Sequence, residues 1–232
     1  MGTLALANIE TINIVSGGAA NTWNKLAITD NAVKSIVITG AQNVDLSVSQ
    51  TLVGSATTIA LTSIDGSAAT GKLSITDAGT AVNALTIKGG SAADTITVSS
   101  KGATITGGVG ADNFVVTAAV AGSTTAPIVT TITDAASSDK ITFVDKGTEV
   151  FNTVKVNVSA ATDLLSALNL ATTGNGGTNG IISYFQFGGN TYVVEDNGAG
   201  STLDAADVVV KLTGTYDLST ATGAGTHIIT LA

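Results

Sequence analysis

Two short stretches carry residue types that can do chemistry together. Gly89-Gly90 is followed by Asp94, and Gly107-Gly108 by Asp112, an offset of 18 residues. Ca²⁺ takes roughly six to eight oxygen ligands at about 2.3–2.6 Å. Glycines let a turn curl so that backbone carbonyls point inward, some of them at positive φ. An Asp at the end of each turn then closes the shell. Two such turns, one above the other, supply about four carbonyls and two carboxylates, a full Ca²⁺ set. The expected ligands are Gly89, Ser91 and Asp94 from one turn and Gly108, Gly110 and Asp112 from the next. The plainer alternative is a Gly-Asp turn in an ordinary hairpin. A phosphate loop is excluded, because no Gly-Lys-Ser/Thr follows and no helix begins there.

The elements that must hold these turns are short strands. Residues 107–115, GGVGADNFV, match the nonapeptide G-G-x-G-x-D-x-U-x at every defined position, with Phe114 as the large apolar residue. Residues 89–97, GGSAADTIT, match it except for Ala92, and 98–106 keep the apolar position at Ile105. One nonad makes a turn plus a strand and two make a coil, so the turns at 89–94 and 107–112 fall on the same side. Ala103 stands where the intervening nonad would carry Asp, which limits calcium to that side. Ile96, Val98, Ile105, Phe114 and Val116 are expected inside, and Thr95, Thr97, Thr104 and Thr106 outside.

The same alternation recurs along the chain, in IETINIV (9–15), LAIT (26–29), SIVIT (35–39), VDLSV (44–48), TIALTSI (58–64), LSIT (73–76) and ALTI (84–87). It continues through TTIT (130–133), DKITFV (139–144) and VKVNV (154–158). Period-two patterning bounded by Gly, Ser, Asn and Asp reads as many short half-buried strands. Such close spacing over so many strands favours stacked coils over a sandwich. The expected fold is all-β, a parallel β-solenoid with a small C-terminal α+β or β capping module. Three segments follow: irregular coils over 1–83, calcium-binding coils over 84–146, and a capping module over 147–232. In the last, SAATDLLSALNLATT (159–173) reads as a helix capped by Ser159 or Thr162, with a stripe of Leu164, Leu165, Leu168 and Leu170. ISYFQFGGNTYVVED (182–196) reads as a hairpin around Gly188-Gly189-Asn190. VVVKLTG (208–214) and HIITLA (227–232) are further strands.

Composition removes several function classes. The 232 residues carry a net charge of −8, and all nine basic residues are Lys. An acidic chain without Arg, with 4% aromatics, is a poor partner for nucleic acid. There is no Cys, so disulfides and thiolate metal sites are out. No apolar run is long enough for a membrane helix. The N-terminus lacks a basic region and a cleavage site of the secretory type. His227, the single histidine, lies in a strand-like run and reads as an ordinary strand residue rather than part of a catalytic triad. No HExxH motif is present, and the chain reads as a non-enzyme.

The nonads resemble the RTX calcium-binding repeats of proteins exported by the bacterial type I system. GADNFVV…TTITDAASSDKITFVD (110–145) is similar to the boundary of that repeat region, where an I-x-D…D-x-I strand pair follows the last nonad. Asp134 and Asp139 occupy its acidic positions, as further calcium ligands, as capping residues or as solvated turn aspartates. FQFGGNTYVVEDNGAG…DAADVVVKLTGTYDLST, ending HIITLA, resembles the C-terminal part of RTX-type S-layer proteins. That resemblance implies a calcium-dependent structural lattice on a bacterial surface, a secreted, extracellular location and an uncleaved C-terminal signal. It implies as partners further copies of the chain, the type I secretion machinery, and outer-membrane lipopolysaccharide reached through other parts of a full-length protein. Two other readings stand beside it: the secretion and folding module of a larger RTX enzyme or toxin, and an adhesin or ice-binding solenoid suggested by the Thr-Ile-Thr triplets. Asp30 and Asp77, at strand ends in the first segment, are weaker calcium candidates.

Overall fold

The computed structural model describes residues 2–19, 22–30, 32–46, 61–77, 84–117, 126–147, 149–172, 180–198, 200–223 and 227–232. The ends of two expected strands (47–48 and 58–60), most of the small-residue loop around 121–125 and the glycine turn 173–179 lie outside the described residues. The protein is mostly β, with two parallel-rich sheets and one short helix among the described residues. No helix there is long and apolar enough to cross a membrane. Contacts divide the chain into two compact units, Met1–Phe114 and Val115–Ala232.

The first unit holds β1 (Gly2–Ala5), β2 (Thr11–Ser16), β3 (Trp23–Thr29), β4 (Ser35–Gly40), β5 (Asn43–Leu46), β6 (Ser63–Ala69), β7 (Leu73–Thr76), β8 (Leu85–Lys88), β9 (Thr95–Thr97), β10 (Ala103–Thr106) and the start of β11 (Asn113–Val115). Each strand skips the next one and pairs with the one after it. Odd-numbered strands build one sheet and even-numbered strands the other, and the registered pairs in this unit are parallel. Alternation in sequence therefore becomes columns in space. Ile12, Ile36, Ile64, Ile87 and Ile105 stand in one register across β2, β4, β6, β8 and β10, and all are buried. Leu46, Ile75 and Ile96 form the matching column across β5, β7 and β9. β-Branched side chains suit such a pleated, packed surface. Thr95, Thr97 and Thr106 are half-buried and Thr104 exposed, while Ile96, Val98, Ile105 and Phe114 are buried, as the alternation requires. Because the column is close-packed, Ile105→Val is expected to lower stability by about 0.5–1.5 kcal/mol, read from the urea-unfolding midpoint. An unchanged midpoint would mean that the column tolerates a void there.

The second unit carries β12 (Thr130–Ile132), β13 (Lys140–Thr142), β14 (Val150–Phe151), α1 (Leu164–Thr172), β15 (Ile181–Phe187), β16 (Asn190–Asp196), β17 (Val208–Leu212) and β18 (Ile228–Thr230). β15 and β16 form the expected antiparallel hairpin. Its turn needs two left-handed residues in succession, and Gly188 and Gly189 supply them with φ of 56° and 77°. β17 continues the sheet antiparallel to β16, β12 lies parallel to β17, and β14 lies parallel to β15. β13 pairs antiparallel with β18. One face of this sheet packs on α1, where Ala167, Leu168 and Ala171 meet Phe185, Tyr192, Val194 and Val209. Phe185 and Tyr192 stack with centroids 5.3 Å apart.

Local hydrogen bonding overrides the sequence pattern at two places. Residues 154–158 alternate like a strand but are irregular. Asn152 and Asn157 Oδ1 accept the N–H groups of Val154 and Ser159, forming local turns, and only Val156 N–H bonds to the neighbouring Tyr184 carbonyl. The helix begins at Leu164, later than expected, because Asp163 and not Ser159 or Thr162 is its cap. Asp163 Oδ1 accepts Ser166 N–H (2.7 Å), and Ser166 Oγ in turn accepts Asp163 N–H (3.1 Å), a reciprocal cap. The Ser166 N–H first, and then the Ser166 hydroxyl, hold the Asp163 carboxyl below its usual range. The buried helical face is Ala167, Leu168 and Ala171, while Leu170 is exposed.

Candidate functional site

The two glycine–aspartate turns stack one above the other. Asp94 N–H donates to Asp112 Oδ1 (2.8 Å) and Val109 N–H to the Gly90 carbonyl (3.0 Å), so equivalent positions 18 residues apart face each other. The arrangement repeats one coil lower. Asp94 Oδ1 accepts Leu73 N–H (2.7 Å), and Asp94 Oδ2 accepts Gly90 N–H of its own turn (2.6 Å). Both carboxylates are buried, at 1% exposure. In each turn a carboxylate oxygen folds over the first glycine: a Cβ on Gly89 would lie 2.6 Å from Asp94 Oδ2, and one on Gly107 2.5 Å from Asp112 Oδ2. Burial pushes the Asp94 carboxyl up, opposed by the Gly90 and Leu73 N–H groups. Asp94 and Asp112 are therefore struts that tie each coil to the one before it.

The remaining expected ligands fall unevenly around this stack. Gly108 (φ 96°) sits against the Gly90 carbonyl, and Gly110 lies near the Ala92 carbonyl. Ser91 is exposed and its N–H donates to the Ala69 carbonyl (3.1 Å). Asp134 and Asp139 belong to the second unit. Asp134 is half-buried just past β12. Asp139 is buried, and its Oδ2 accepts Ala136 N–H (2.9 Å) while its carbonyl accepts Leu231 N–H (2.8 Å). That is the geometry of a turn cap. Asp30 behaves like the struts, accepting Ala32 N–H (2.6 Å) and, from the coil before, Ile9 N–H (3.3 Å). Asp77 Oδ2 accepts the Ser99 hydroxyl (2.6 Å).

Neither the known protein-family models nor the curated proteins compared with the chain match it.

A different group of side chains comes together in the second unit. Asp145, Glu149 and His227 offer ligand atoms all within 4.8 Å of one another, the one group of three or more metal-ligating side chains found among the described residues. His227 Nδ1 lies 3.7 Å from Asp145 Oδ2. Lys146 N–H donates to Glu149 Oε1. The chain folds this way because β18 returns antiparallel to β13, with Phe143 N–H bonded to the His227 carbonyl (2.8 Å). The loop after β13 is thereby set beside the residue before β18. A second acidic group lies in the loop between β16 and β17. Asp207 accepts Asn197 N–H (2.9 Å) and Asp204 N–H (2.7 Å), one on each oxygen. Burial raises its carboxyl to about 6, with the charges of Asp204 and Asp196 adding to that against the two N–H bonds.

Proposed function

We propose that the chain is a structural protein: a β-solenoid whose glycine–aspartate turns take Ca²⁺, and whose calcium-loaded form self-associates into a surface layer outside the cell. The observation that carries this reading is the 18-residue translation between the turns, seen in the Asp94 N–H to Asp112 Oδ1 bond. It brings two buried carboxylates and the curled backbone around Gly89 and Gly108 onto one side of adjacent coils. The donor set fits a hard cation. It is all oxygen, and a carboxylate oxygen that already accepts one N–H keeps a second lone pair. In such a site Asp94, Asp112 and the carbonyls of the two turns would hold the ion, whose charge would offset that of the two buried carboxylates. The RTX resemblance and the Thr-, Ala- and Gly-rich, Cys-free and Arg-free composition support export by the type I route and a place in a lattice.

Ion binding that needs the stacked turns is coupled to folding. Extracellular calcium modules bind at about 10⁻⁴–10⁻³ M, so filling would await export. Ca²⁺ at 100 times its Kd is expected to stabilise the protein by about 2.7 kcal/mol per site. Thermal unfolding followed by circular dichroism, with Ca²⁺ and with EGTA, measures this, and Asp112→Asn should reduce the difference. Electron microscopy of the same samples should show ordered sheets only with calcium. Identical melting and identical particles under both conditions would defeat the reading.

A further inference from the structure

The group around His227 is independent of the glycine–aspartate turns, and a buried glutamate outside the group of three, Glu195, is anchored to the loop that carries Asp145 and Glu149. Glu195 is near the end of β16. Tyr192 and Val194 on that strand face α1, so Glu195 points to the opposite face with Val193. Its cross-strand neighbours are Ile182 and Val208, both buried and apolar. A carboxylate has no solvation in such a place. Glu195 is 0% exposed. Its Oε2 accepts Val144 N–H (3.2 Å) and Asn197 Nδ2 (2.8 Å), while its Oε1 has no hydrogen-bond partner among the described residues. Val144 directly precedes Asp145, so the carboxyl is anchored at the loop that carries two of the other three groups. Glu149, also buried, rests against Gly180, whose N–H donates to the carbonyl of Asp196, the residue after Glu195. A carboxyl buried among apolar side chains with an orphaned oxygen is a place where a cation would be stabilising.

We propose that Asp145, Glu149, Glu195 and His227 form a site for one divalent transition-metal ion of the borderline class, Zn²⁺ or Co²⁺, separate from any calcium in the first unit. The imidazole decides the class. Calcium takes oxygens, whereas imidazole nitrogen suits zinc, copper, iron and nickel. Ligand atoms at about 2.0–2.2 Å from a tetrahedral ion stand roughly 3.4 Å apart. The Nδ1 to Oδ2 separation of 3.7 Å is close to that, whereas other atoms within the 4.8 Å span of Asp145, Glu149 and His227 would close by up to about 1.4 Å and Glu195 would join them by a change of rotamer. The ion would fasten the loop after β13 to β16 and to the segment leading into β18, tying the last strand of the chain to its neighbours.

The test uses the full chain in excess Ca²⁺, titrated with Co²⁺ and read by its visible d–d absorption. One equivalent of Co²⁺ should give a saturable band. His227→Ala should abolish it. Glu149→Gln and Glu195→Gln should each weaken binding on the order of 10–100-fold. Asp112→Asn, in the calcium turns, should leave it unchanged, so that failure of the calcium reading and failure of this one are told apart. Far-UV circular dichroism of each variant checks that it folds. No band in the native chain overturns the proposal, and so does a band that survives His227→Ala. Either result reduces the group to Asp145 and His227 in contact, beside a buried Glu195 that holds no ion. Unaltered Co²⁺ affinity in Glu195→Gln would equally overturn the four-ligand site.

Discussion

Gly108→Ala is expected to be among the most damaging single-methyl changes in the first unit, lowering its stability on the order of 2–5 kcal/mol. Two effects add. The backbone at 108 has φ of 96°, in the left-handed region, where an L side chain costs about 1–2 kcal/mol. A Cβ there would also collide with the Gly90 carbonyl oxygen. That oxygen accepts Val109 N–H and belongs to the coil stack, so it cannot retreat without opening the stack. Forced displacement of this kind costs about 1–3 kcal/mol. Gly188→Ala is the control. Its φ of 56° carries the backbone penalty, but nothing lies within 4 Å of the added carbon, so only about 1–2 kcal/mol should be lost. Fluorescence of Trp23, the single tryptophan, reports urea unfolding of the first unit. Tyrosine signals report the second. Equal losses in the two variants would show that the turns are not in close contact.

The second large effect is a dependence on acidity that runs opposite to the usual one. Asp207 has its carboxyl raised from 3.8 to about 6, by burial first and then by Asp204 and Asp196. Between those values the native state holds a proton that the unfolded chain has released. The group's contribution is therefore greatest below pH 3.8, and it declines as pH rises through about 6. Allowing for solvent screening, the loss between pH 4 and pH 7 is on the order of 2 kcal/mol. Asp207→Asn has no such proton to lose. It forfeits one acceptor for Asn197 or Asp204 at every pH, but its stability should fall by about 2 kcal/mol less than that of the native chain between those pH values. Urea midpoints of both proteins, taken across the range in EDTA, make the comparison. Parallel pH curves would show that Asp207 is ionised throughout.

What could be read in the sequence follows from what is periodic. The isoleucine columns and the turns at 89–94 and 107–112 are legible because a parallel register copies a fixed spacing into space: Ile87 and Ile105 share a face since both stand at the same point of their nonads. β1, four residues long, is too short to show the pattern although it lies in register with β3, and β14 has two residues, too few to alternate. Residues 154–158 show the converse, a strand pattern defeated by asparagine side chains that satisfy the backbone locally. The helix start moved to Asp163 because the reciprocal bond with Ser166 is decided by three-residue geometry that Ser159 and Thr162 lack. The group of Asp145, Glu149 and His227, with Glu195 anchored beside it, is almost invisible in the pattern. Two of these residues share the loop after β13, and His227 and Glu195 come from two other places, His227 being brought in only when β18 pairs with β13. Its one sequence signal was a glutamate, Glu195, at an inward position between apolar neighbours.

The aspartate struts also make the array indifferent to its own length. Asp112 grips the backbone of residue 94 as Asp94 grips that of residue 73, and the glycine before each receives the carboxylate in the same way. Loss of the 18 residues 89–106 would set Gly107 where Gly89 stood and bring Asp112 above Leu73. A gain of 18 would insert one more identical rung. Whole coils can thus be added or removed in evolution without renegotiating either neighbour, whereas the nine-residue step, which ends on Ala103, would leave a rung without its grip.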